Sequence, residues 1–353
     1  MLDAPMHHWY ACVLLTALAF VFPGQGSQAV GMGRDVYETS AAARAIFEEA
    51  DRVLGYKLSE LCFAGPAERL NDTTVAQPAI LATSIALFEA MVESVTQKIG
   101  RRVTDGSEPR GVMALPEHMR PDFVAGHSLG EFTALVTAGV LPFADALRLV
   151  AERGKLASTQ GARGAMAAII GLSAEEVERV IADTVEPGTV VVANDNGPIQ
   201  VTIAGNDEGI RAVTEALANR GAKKIVPLRI SAPFHFPDMG RIGPDLRAFM
   251  QTLRFREPVV PIVAKVSALP HLNGAAIQEA LVRHLSNRVE WLKSVRYMVE
   301  RGASTFVEIG AGQVVNGLVK RIADVKLVNV SDTGSLVGAL RTLSDRAHSV
   351  ISR

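Results

Sequence analysis

Cysteine and net charge are what this sequence has least of. Only two cysteines, Cys12 and Cys62, occur in 353 residues, which excludes a disulfide framework and indicates a reducing compartment. The 36 basic and 37 acidic side chains leave a formal net charge of −1, so nucleic acid is not expected as a partner. The 48% of hydrophobic and 21% of charged residues are typical of a soluble globular enzyme.

The N-terminal region has no apolar run long enough for a membrane anchor. Its longest run, residues 11–22, is interrupted by Thr16 and ended by Pro23, and it is too short to span a bilayer. A signal peptide is not expected either, because no Lys or Arg precedes the run and cleavage would destroy the strand before Pro23. We therefore expect a cytoplasmic protein that binds no membrane, with residues 1–17 as a loose extension.

Motifs that bind nucleotide phosphates are also missing. A short apolar strand over 18–22 leads into the glycine-rich segment Pro23–Gln28, but no G-x-G-x-x-G follows and no Gly-Lys-Ser/Thr closes the loop. The loop offers Gln25 and Gln28, whose amides suit an acyl carbonyl or a carboxylate better than a nucleotide. Taken alone, it is equally consistent with an ordinary strand-to-helix turn.

The stretch with the most chemical content is Gly126-His127-Ser128-Leu129-Gly130. A predicted buried strand at 122–125 precedes it and a predicted helix at 129–140 follows it, which is the arrangement of a nucleophile elbow. The two glycines allow a sharp turn, so Ser128 projects from the sheet and the first helical N–H groups face any oxyanion that forms. A bare G-x-S-x-G also arises by chance, so this assignment depends on the rest of the chain.

The pattern changes at residue 164. From there to residue 230, strands and helices follow the order βαββαβ, which predicts a ferredoxin-like unit. We interpret 164–231 as a small subdomain inserted into a larger α/β core formed by 18–163 and 232–353. A cleft between the two is a natural place for a ligand. Outside this unit, helices are predicted at 41–54 and 78–95, and the Pro-rich segment 100–121 is predicted to be a surface loop. Within it, a turn is predicted at 194–198, between the two middle strands.

His235 is the best candidate for the general base of Ser128. It lies in a loop at the end of a strand, between Pro233 and Pro237. His127 is expected to point away from the serine along the turn. Five other histidines lie in surface-like stretches of the sequence: His7, His8, His118, His271 and His348. A plain turn residue is the alternative for His235, and no acidic residue stands out as a third triad member.

Four motifs, in the right order, resemble the malonyl-CoA:acyl carrier protein transacylases, the acyltransferase family of fatty acid and polyketide synthesis. They are Phe22–Gln28, Gly126–Glu131, Pro233–His235 and Glu308–Gly312, and the similarity extends from about Leu18 to about Leu340. The resemblance implies an α/β-hydrolase-like core with a ferredoxin-like insert, and a monomer without metal or cofactor. It also implies transfer of a malonyl group from malonyl-CoA to the phosphopantetheine thiol of acyl carrier protein.

The resemblance assigns the chemical roles residue by residue. Ser128 becomes the acylated nucleophile and His235 its base. Gln25 and Leu129 supply backbone N–H groups to the oxyanion hole.

It assigns the substrate and supporting roles in the same way. Arg153 would grip the free malonyl carboxylate, since a guanidinium forms a bidentate fork that Lys cannot reproduce. Phe234 and Asn194 join the substrate site, Phe234 by crowding the α-carbon. His284 stands where the family commonly has Gln beside the catalytic histidine, so it is the expected orienting residue unless a backbone carbonyl serves.

Some positions depart from the family's pattern. Ile199 stands where Gly is frequent, and Phe236 stands where Ser often follows the active histidine. These departures concern surface details and the partner interface. Acyl carrier protein, which is generally acidic, is expected to dock on basic residues near the cleft mouth: Lys223, Lys224, Lys320 and Arg321.

Two other functions remain open from the sequence. A serine esterase or thioesterase would use the same elbow, but it leaves Gln25 and Arg153 without a purpose and normally needs an Asp or Glu. A non-catalytic module that binds carrier protein is the third possibility, and the intact pair of Ser128 and His235 counts against it.

Overall fold

The structure, a computed structural model, describes residues 17–98, 111–228, 230, 232–271 and 273–351. The predicted extension at 1–17, apart from Ala17, lies outside the described residues, and so does the first part of the predicted loop at 100–121. The remainder of that loop contains two 3₁₀ turns, Gly111–Ala114 and Glu117–Met119.

Strands and helices alternate along most of the chain. The strands are β1 (Ala17–Phe22), β2 (Phe123–Gly126), β3 (Ala165–Ile170), β4 (Val190–Gly197), β5 (Gln200–Gly205), β6 (Lys224–Pro227), β7 (Ile262–Val263), β8 (Ala303–Ile309) and β9 (Lys326–Val330). The helices are α1 (Arg34–Thr39), α2 (Ala41–Leu54), α3 (Leu58–Ala64), α4 (Ala67–Asn71), α5 (Thr73–Lys98), α6 (Gly130–Thr137), α7 (Phe143–Thr159), α8 (Ala174–Thr184), α9 (Asp207–Asn219), α10 (Gly243–Met250), α11 (Gly274–Arg283), α12 (Trp291–Glu300), α13 (Val314–Val319) and α14 (Thr333–Ile351).

Five parallel strands form the larger sheet, in the order β7-β2-β1-β8-β9. All six residues of β1 are buried, because alternate side chains enter two different hydrophobic clusters. Leu18, Phe20 and Phe22 belong to the larger cluster, which contains α2, α5 and α7. The residues between them face the cluster of Trp291 and Phe306. A continuous apolar strand therefore marks a parallel sheet that is covered on both faces.

The register of this sheet brings the sequence motifs together. Phe22 at the end of β1 pairs with Gly126 at the end of β2, and Val21 pairs with Glu308 of β8. Because the carboxyl ends of parallel strands lie at one edge, the segments after β1, β2 and β8 emerge side by side. Gly310 packs directly on Pro23, where a Cβ would lie 2.5 Å from Cδ of that proline.

Helix α5 is the longest element of the larger unit. Its segment Thr73–Gln97 is long and apolar enough to cross a membrane, but 94% of its most apolar window is buried inside the protein. It is thus a core helix of this fold. It begins five residues before the predicted start at Pro78, since one proline inside a helix removes only one backbone donor.

The four strands from β3 to β6 form a separate antiparallel sheet, in the order β4-β5-β3-β6. The predicted element order βαββαβ is confirmed. The predicted turn at 194–198 is wrong, because β4 continues to Gly197 and only Pro198 and Ile199 form the turn. Asn194 and Asp195 instead pair across the hairpin with Thr202 and Val201.

The small sheet is joined to the larger unit through its edge strand β4. The Val289 N–H donates to the Ala193 carbonyl, and the Asp195 N–H donates to the Val289 carbonyl, both at 2.9 Å. Two backbone hydrogen bonds therefore extend the small sheet onto the segment that leads into α12.

Candidate active site

Ser128 lies in a strained turn between β2 and α6. Its φ of 49° is in the left-handed region, which is rarely occupied by residues other than glycine. The glycines on either side leave no space for a side chain: a Cβ on Gly126 would overlap the backbone of Gly130. A Cβ on Gly130 would lie 2.7 Å from the carbonyl carbon of Phe22. Close packing of strand, helix and the β1 loop therefore produces the strained serine, as the elbow pattern predicts.

His235 lies within hydrogen-bond distance of this serine. Its Nε2 is 2.9 Å from Ser128 Oγ, and its Nδ1 is 3.1 Å from the backbone carbonyl of Asn287. A carbonyl can only accept, so Nδ1 carries the proton and Nε2 is free to accept the serine proton. The backbone of His235 also has a positive φ of 68°, and its N–H donates to the Leu285 carbonyl at 2.9 Å.

The orienting group is thus the Asn287 carbonyl, and the expectation that His284 makes this hydrogen bond is wrong. His284 is fully buried, and neither ring nitrogen has a hydrogen-bond partner in the described part of the chain. Its ring packs against the His235 ring, with 4.8 Å between the ring centroids. His284, the C-cap residue of α11, therefore supports the ring of His235 by packing.

The surroundings of His235 disfavour a positive charge on its ring. Burial lowers the pKa of His235 well below its usual range, and the positive charges of Arg153 and Lys265 lower it further. The hydrogen bond to Asn287 acts in the opposite direction but is outweighed. His235 is therefore neutral at pH 7, the form that a general base needs.

Arg153 is a buried cation on α7 without a carboxylate partner in the described residues. It is 1% exposed, and its Nη1 donates to Gln77 Oε1 at 2.6 Å. Its Nε and Nη2 have no hydrogen-bond partner in that part of the chain. The guanidinium carbon lies 4.0 Å from the centroid of the Phe234 ring. Burial lowers the pKa of Arg153 to about 9, so the side chain is still charged at pH 7.

The backbone N–H groups of Gln25 and Leu129 have no hydrogen-bond partner among the described residues. The loop after β1 lies against the elbow, because a Cβ on Gly24 would be 2.5 Å from the His127 carbonyl and 3.4 Å from the Leu129 nitrogen. The Gln25 side chain turns away and donates from Nε2 to Thr73 Oγ1 at 3.1 Å. Two unused donors are thus held beside Ser128, which is what an oxyanion hole requires.

Asn194 is buried on β4, where it pairs across the hairpin with Thr202 of β5. Asn196, two residues on, is the amide that contacts the elbow, through a 2.7 Å bond between His127 Nε2 and Asn196 Oδ1. Burial lowers the pKa of His127 to about 4, so the neutral ring donates this bond. His127 packs edge-on against Trp291 and is directed away from the serine, as predicted.

Behind the elbow lies a buried ionic cluster of Glu131, Lys265 and His271. Glu131 on α6 pairs with Lys265 and accepts from His271 Nε2 at 2.6 Å. The expectation that His271 lies at the surface is wrong, since its side chain is 3% exposed. Burial alone would raise the pKa of Glu131, but Lys265 and His271 outweigh it and lower the value to about 2.

The fourth motif has a structural role in this arrangement. Glu308 is fully buried and accepts hydrogen bonds from the backbone N–H groups of Val315 and Asn316, at 2.9 and 2.7 Å. Its carboxylate thereby satisfies the first amides of α13. The motif thus fixes the loop that packs on Pro23.

A cavity lies between the unit at 164–231 and the rest of the chain, where a cleft is expected. This cavity of about 470 Å³ lies between α8, the edge of β4 and residues 286–288, and His235 forms part of its wall. Among the described residues, no group of three His, Cys, Asp or Glu side chains is placed to hold a metal ion.

Sequence reasoning missed several residues of this site. Gln77 and the Asn287 carbonyl contact the functional side chains from distant parts of the chain, and no local pattern indicates either of them. Glu131 did carry a signal, because a charged residue inside an apolar elbow helix needs a partner. Its partners, Lys265 and His271, could not be identified from the sequence.

Comparison with known proteins places the chain among acyl transferases. The family described as "Acyl transferase domain" matches residues 19–99 and 114–342. The malonyl CoA-acyl carrier protein transacylase of Escherichia coli (strain K12) is 40% identical over 328 residues, which cover 92% of this chain and 99% of that protein.

Solved structures agree with this comparison. The acyl-carrier-protein-S-malonyltransferase of Bartonella henselae is similar at a TM-score of 0.84 with 37% identity, covering 93% of this chain and all of that one. A malonyl-transacylase in complex with its type II PKS acyl-carrier protein is similar at a TM-score of 0.81. It is 38% identical and covers 93% of this chain and 100% of that chain.

The ionic cluster behind the elbow gives a stability prediction. Glu131→Gln keeps the side-chain volume but leaves the Lys265 charge buried and unpaired, so we expect a loss of about 3–5 kcal/mol in the free energy of unfolding. Urea denaturation at pH 7 measures it. Glu300→Gln at an exposed position is the control and should change the value by less than about 0.5 kcal/mol. Equal midpoints for the two variants would contradict the assignment.

The same pair predicts how acid affects stability. The folded-state pKa of Glu131, about 2, lies below its ordinary value of 4.5. Its contribution is therefore complete above about pH 4.5 and is lost as the pH falls toward 2. Glu131→Gln should show a smaller loss of stability across this interval than the wild type.

Proposed function

The chain belongs to the acyl transferase domain family, and we propose that it transfers malonyl groups from malonyl-CoA to acyl carrier protein through an ester on Ser128. The observation that carries the proposal is the combination of a strained Ser–His dyad with a buried arginine that pairs with no carboxylate among the described residues. An acyl group with a free carboxylate would supply the missing partner of Arg153 while its thioester carbon lies at Ser128.

The first half-reaction acylates the serine. Ser128 Oγ attacks the thioester carbonyl of malonyl-CoA while His235 Nε2 accepts the serine proton. The unused N–H groups of Gln25 and Leu129 would hold the oxyanion of the tetrahedral intermediate. Coenzyme A then leaves with the proton from His235, and the malonyl group remains as an ester.

In the second half-reaction the phosphopantetheine thiol of acyl carrier protein attacks this ester, and His235 acts as base again. A thioester is already an activated acyl donor, so the proposed mechanism requires no metal or cofactor. Asn287 and His284 would keep the His235 ring in place through both steps. The cleft between the two sheets helps to keep water from the ester.

We also propose that the two units have the folds that the family resemblance implies. The antiparallel sheet order with two crossing helices supports a ferredoxin-like subdomain at 164–231, and the parallel sheet with its elbow supports an α/β-hydrolase-like core at 18–163 and 232–353. A malonyl-CoA-dependent enzyme of this kind would work in the cytoplasm, as a monomer.

The basic residues predicted to bind carrier protein lie around one end of the small sheet. Lys223 precedes β6 and Lys224 is its first residue, while Lys320 and Arg321 follow α13. Arg321 contacts Gln200 at the start of β5. All four are exposed, and none has an acidic partner in the described part of the chain. Ile199, 46% exposed, lies at the hairpin between them. This basic surface with an apolar centre supports docking of an acidic carrier protein.

Single substitutions of the two dyad residues should distinguish the nucleophile from the base. Ser128→Ala should abolish the malonyl-enzyme, and His235→Ala should slow its formation by about 10²–10⁴-fold, the usual contribution of a general base. Labelled malonyl-CoA followed onto protein, carrier protein or water measures both rates. Release of label mainly to water would indicate a thioesterase, and a Ser128→Ala protein that loads normally would disprove the mechanism.

Arg153 should determine which acyl group is accepted. Arg153→Ala should lose malonyl transfer and gain relative activity on acetyl-CoA, because burial of an unpaired guanidinium no longer penalises neutral groups. Phe234 beside it should exclude methylmalonyl-CoA only in part, since one methyl group is worth about 1–3 kcal/mol. Competition assays with the three acyl-CoAs provide the test. An unchanged malonyl-to-acetyl ratio in Arg153→Ala would contradict this role.

Docking on the basic surface should depend on ionic strength. Reversing charge with Lys320→Glu or Arg321→Glu should slow transfer to acyl carrier protein and flatten its salt dependence, because these residues act mainly on the encounter rate. Arg52→Glu, on the exposed face of α2, is the matched control. The rate at which malonyl-CoA loads Ser128 should be unchanged in each variant. Transfer that stays fast and salt-insensitive would rule out this surface.

A further inference from the structure

The two buried cations near His235, Lys265 and Arg153, differ in whether a negative charge balances them. The Lys265 charge is balanced by Glu131, which in turn is held by His271. Arg153 instead contacts the neutral oxygen of Gln77 and the faces of two aromatic rings, Phe234 and Phe132. Among the described residues, no acid forms an ion pair with it. One uncompensated positive charge therefore lies in the core of the site.

The base itself also has no negatively charged neighbour among the residues that the structure describes. The groups that face His235 are Ser128 and His127 of the elbow, Asn287 and His284 after α11, Lys265 after β7, and Arg153 of α7. A neutral carbonyl occupies the position where serine hydrolases commonly place a carboxylate. The imidazolium that forms when His235 takes the serine proton is therefore next to positive charge, and no carboxylate of the described part of the chain stabilises it.

We infer that the carboxylate of the bound acyl group, by neutralising Arg153, makes His235 a stronger base. This inference rests on the proposed function and extends it. The free enzyme would hold a weak base, and the substrate itself would bring the missing negative charge into the site. Arg153 would then select carboxylated acyl groups twice, once in binding and once in the rate of proton transfer.

The chemical step shows where the charge acts. The Ser128 Oγ–H bond breaks and its proton goes to His235 Nε2, while the Oγ–C bond forms. The C–S bond then breaks, and the thiolate of coenzyme A takes the proton from His235. Positive charge is present on His235 only between these events. A carboxylate at Arg153 stabilises that interval because it removes the repulsion between two buried cations.

The inference predicts that neutral acyl groups are slow even when they are bound. Acetyl-CoA leaves the Arg153 charge uncompensated, so acetylation should proceed with the weak base of the free enzyme. General-base efficiency follows base strength, so a stronger base should raise the rate constant at saturating substrate as well as the affinity.

The experiment restores the carboxylate separately from the acyl group. Acetyl-CoA and formate together provide approximately the atoms of malonyl, with formate free to pair with Arg153. Acetylation of Ser128 is followed by rapid quench and intact-mass measurement at saturating acetyl-CoA, across pH 4–8, with and without formate. We expect saturable acceleration of about threefold to tenfold, and a rise of about one unit in the pKa of the rate profile. This comparison uses the wild-type protein and needs no variant to fold.

Two variants distinguish this effect from general effects of formate. Arg153→Gln should acetylate without any response to formate, because no charge remains to be neutralised. Arg301→Gln is the matched control, since its guanidinium also stacks on an aromatic ring, 3.7 Å from the centroid of Tyr297, but outside the site. It should respond to formate as the wild type does.

The outcomes separate the inference from the proposed function. If malonyl-CoA loads Ser128 normally but formate neither accelerates acetylation nor shifts its pKa, the inference is wrong and the proposed function stands. Acceleration without a pKa shift would also overturn it, since it would mean that formate only improves positioning. Failure of malonyl loading itself would refute the proposed function.

Discussion

The parallel pairing of β1 with β2 is the constraint on which the site depends. It places Phe22 beside Gly126, so the loop after one strand must pass within van der Waals contact of the elbow after the other. Backbone therefore packs on backbone at Gly24, Gly126 and Gly130, where a Cβ would have no space. The positive φ of Ser128 and the backbone N–H groups presented beside it both follow from this close approach.

Electrostatics divides the buried charges of the site into two kinds. Glu131, Lys265 and His271 form a closed cluster in which each charge has a partner, and this cluster holds the elbow helix against the segments around β7. Arg153 is left open, with a neutral amide and aromatic rings as its neighbours. An unpaired buried charge destabilises a protein, and such charges occur at sites where a bound ligand supplies the partner. The difference between the two cations thus separates a charge that supports the fold from one that is left available to a ligand.

The sequence predicted helices and strands correctly where the hydrophobic periodicity and the capping residues indicated the same element. Helix α2 has the predicted bounds, since an amphipathic run is closed by a serine N-cap and a glycine C-cap. The turn predicted at 194–198 was wrong because Asn and Asp favour turns in isolation, whereas here pairing with β5 and with Val289 keeps them in a strand. His271 was misplaced for a similar reason, as only the tertiary fold brings it to Glu131.

By itself, the sequence determined the chemistry that local backbone geometry can encode: an elbow with Ser128 at its apex, a histidine in a proline-bounded loop, and an arginine on α7. Only the tertiary structure decided which groups complete that chemistry. The orienting acceptor of His235 is the backbone carbonyl of Asn287, 52 residues away, and His284 packs beside the ring without bonding it. A backbone carbonyl is common to every residue type, so no sequence pattern can identify it. Its role depends only on where the fold places it.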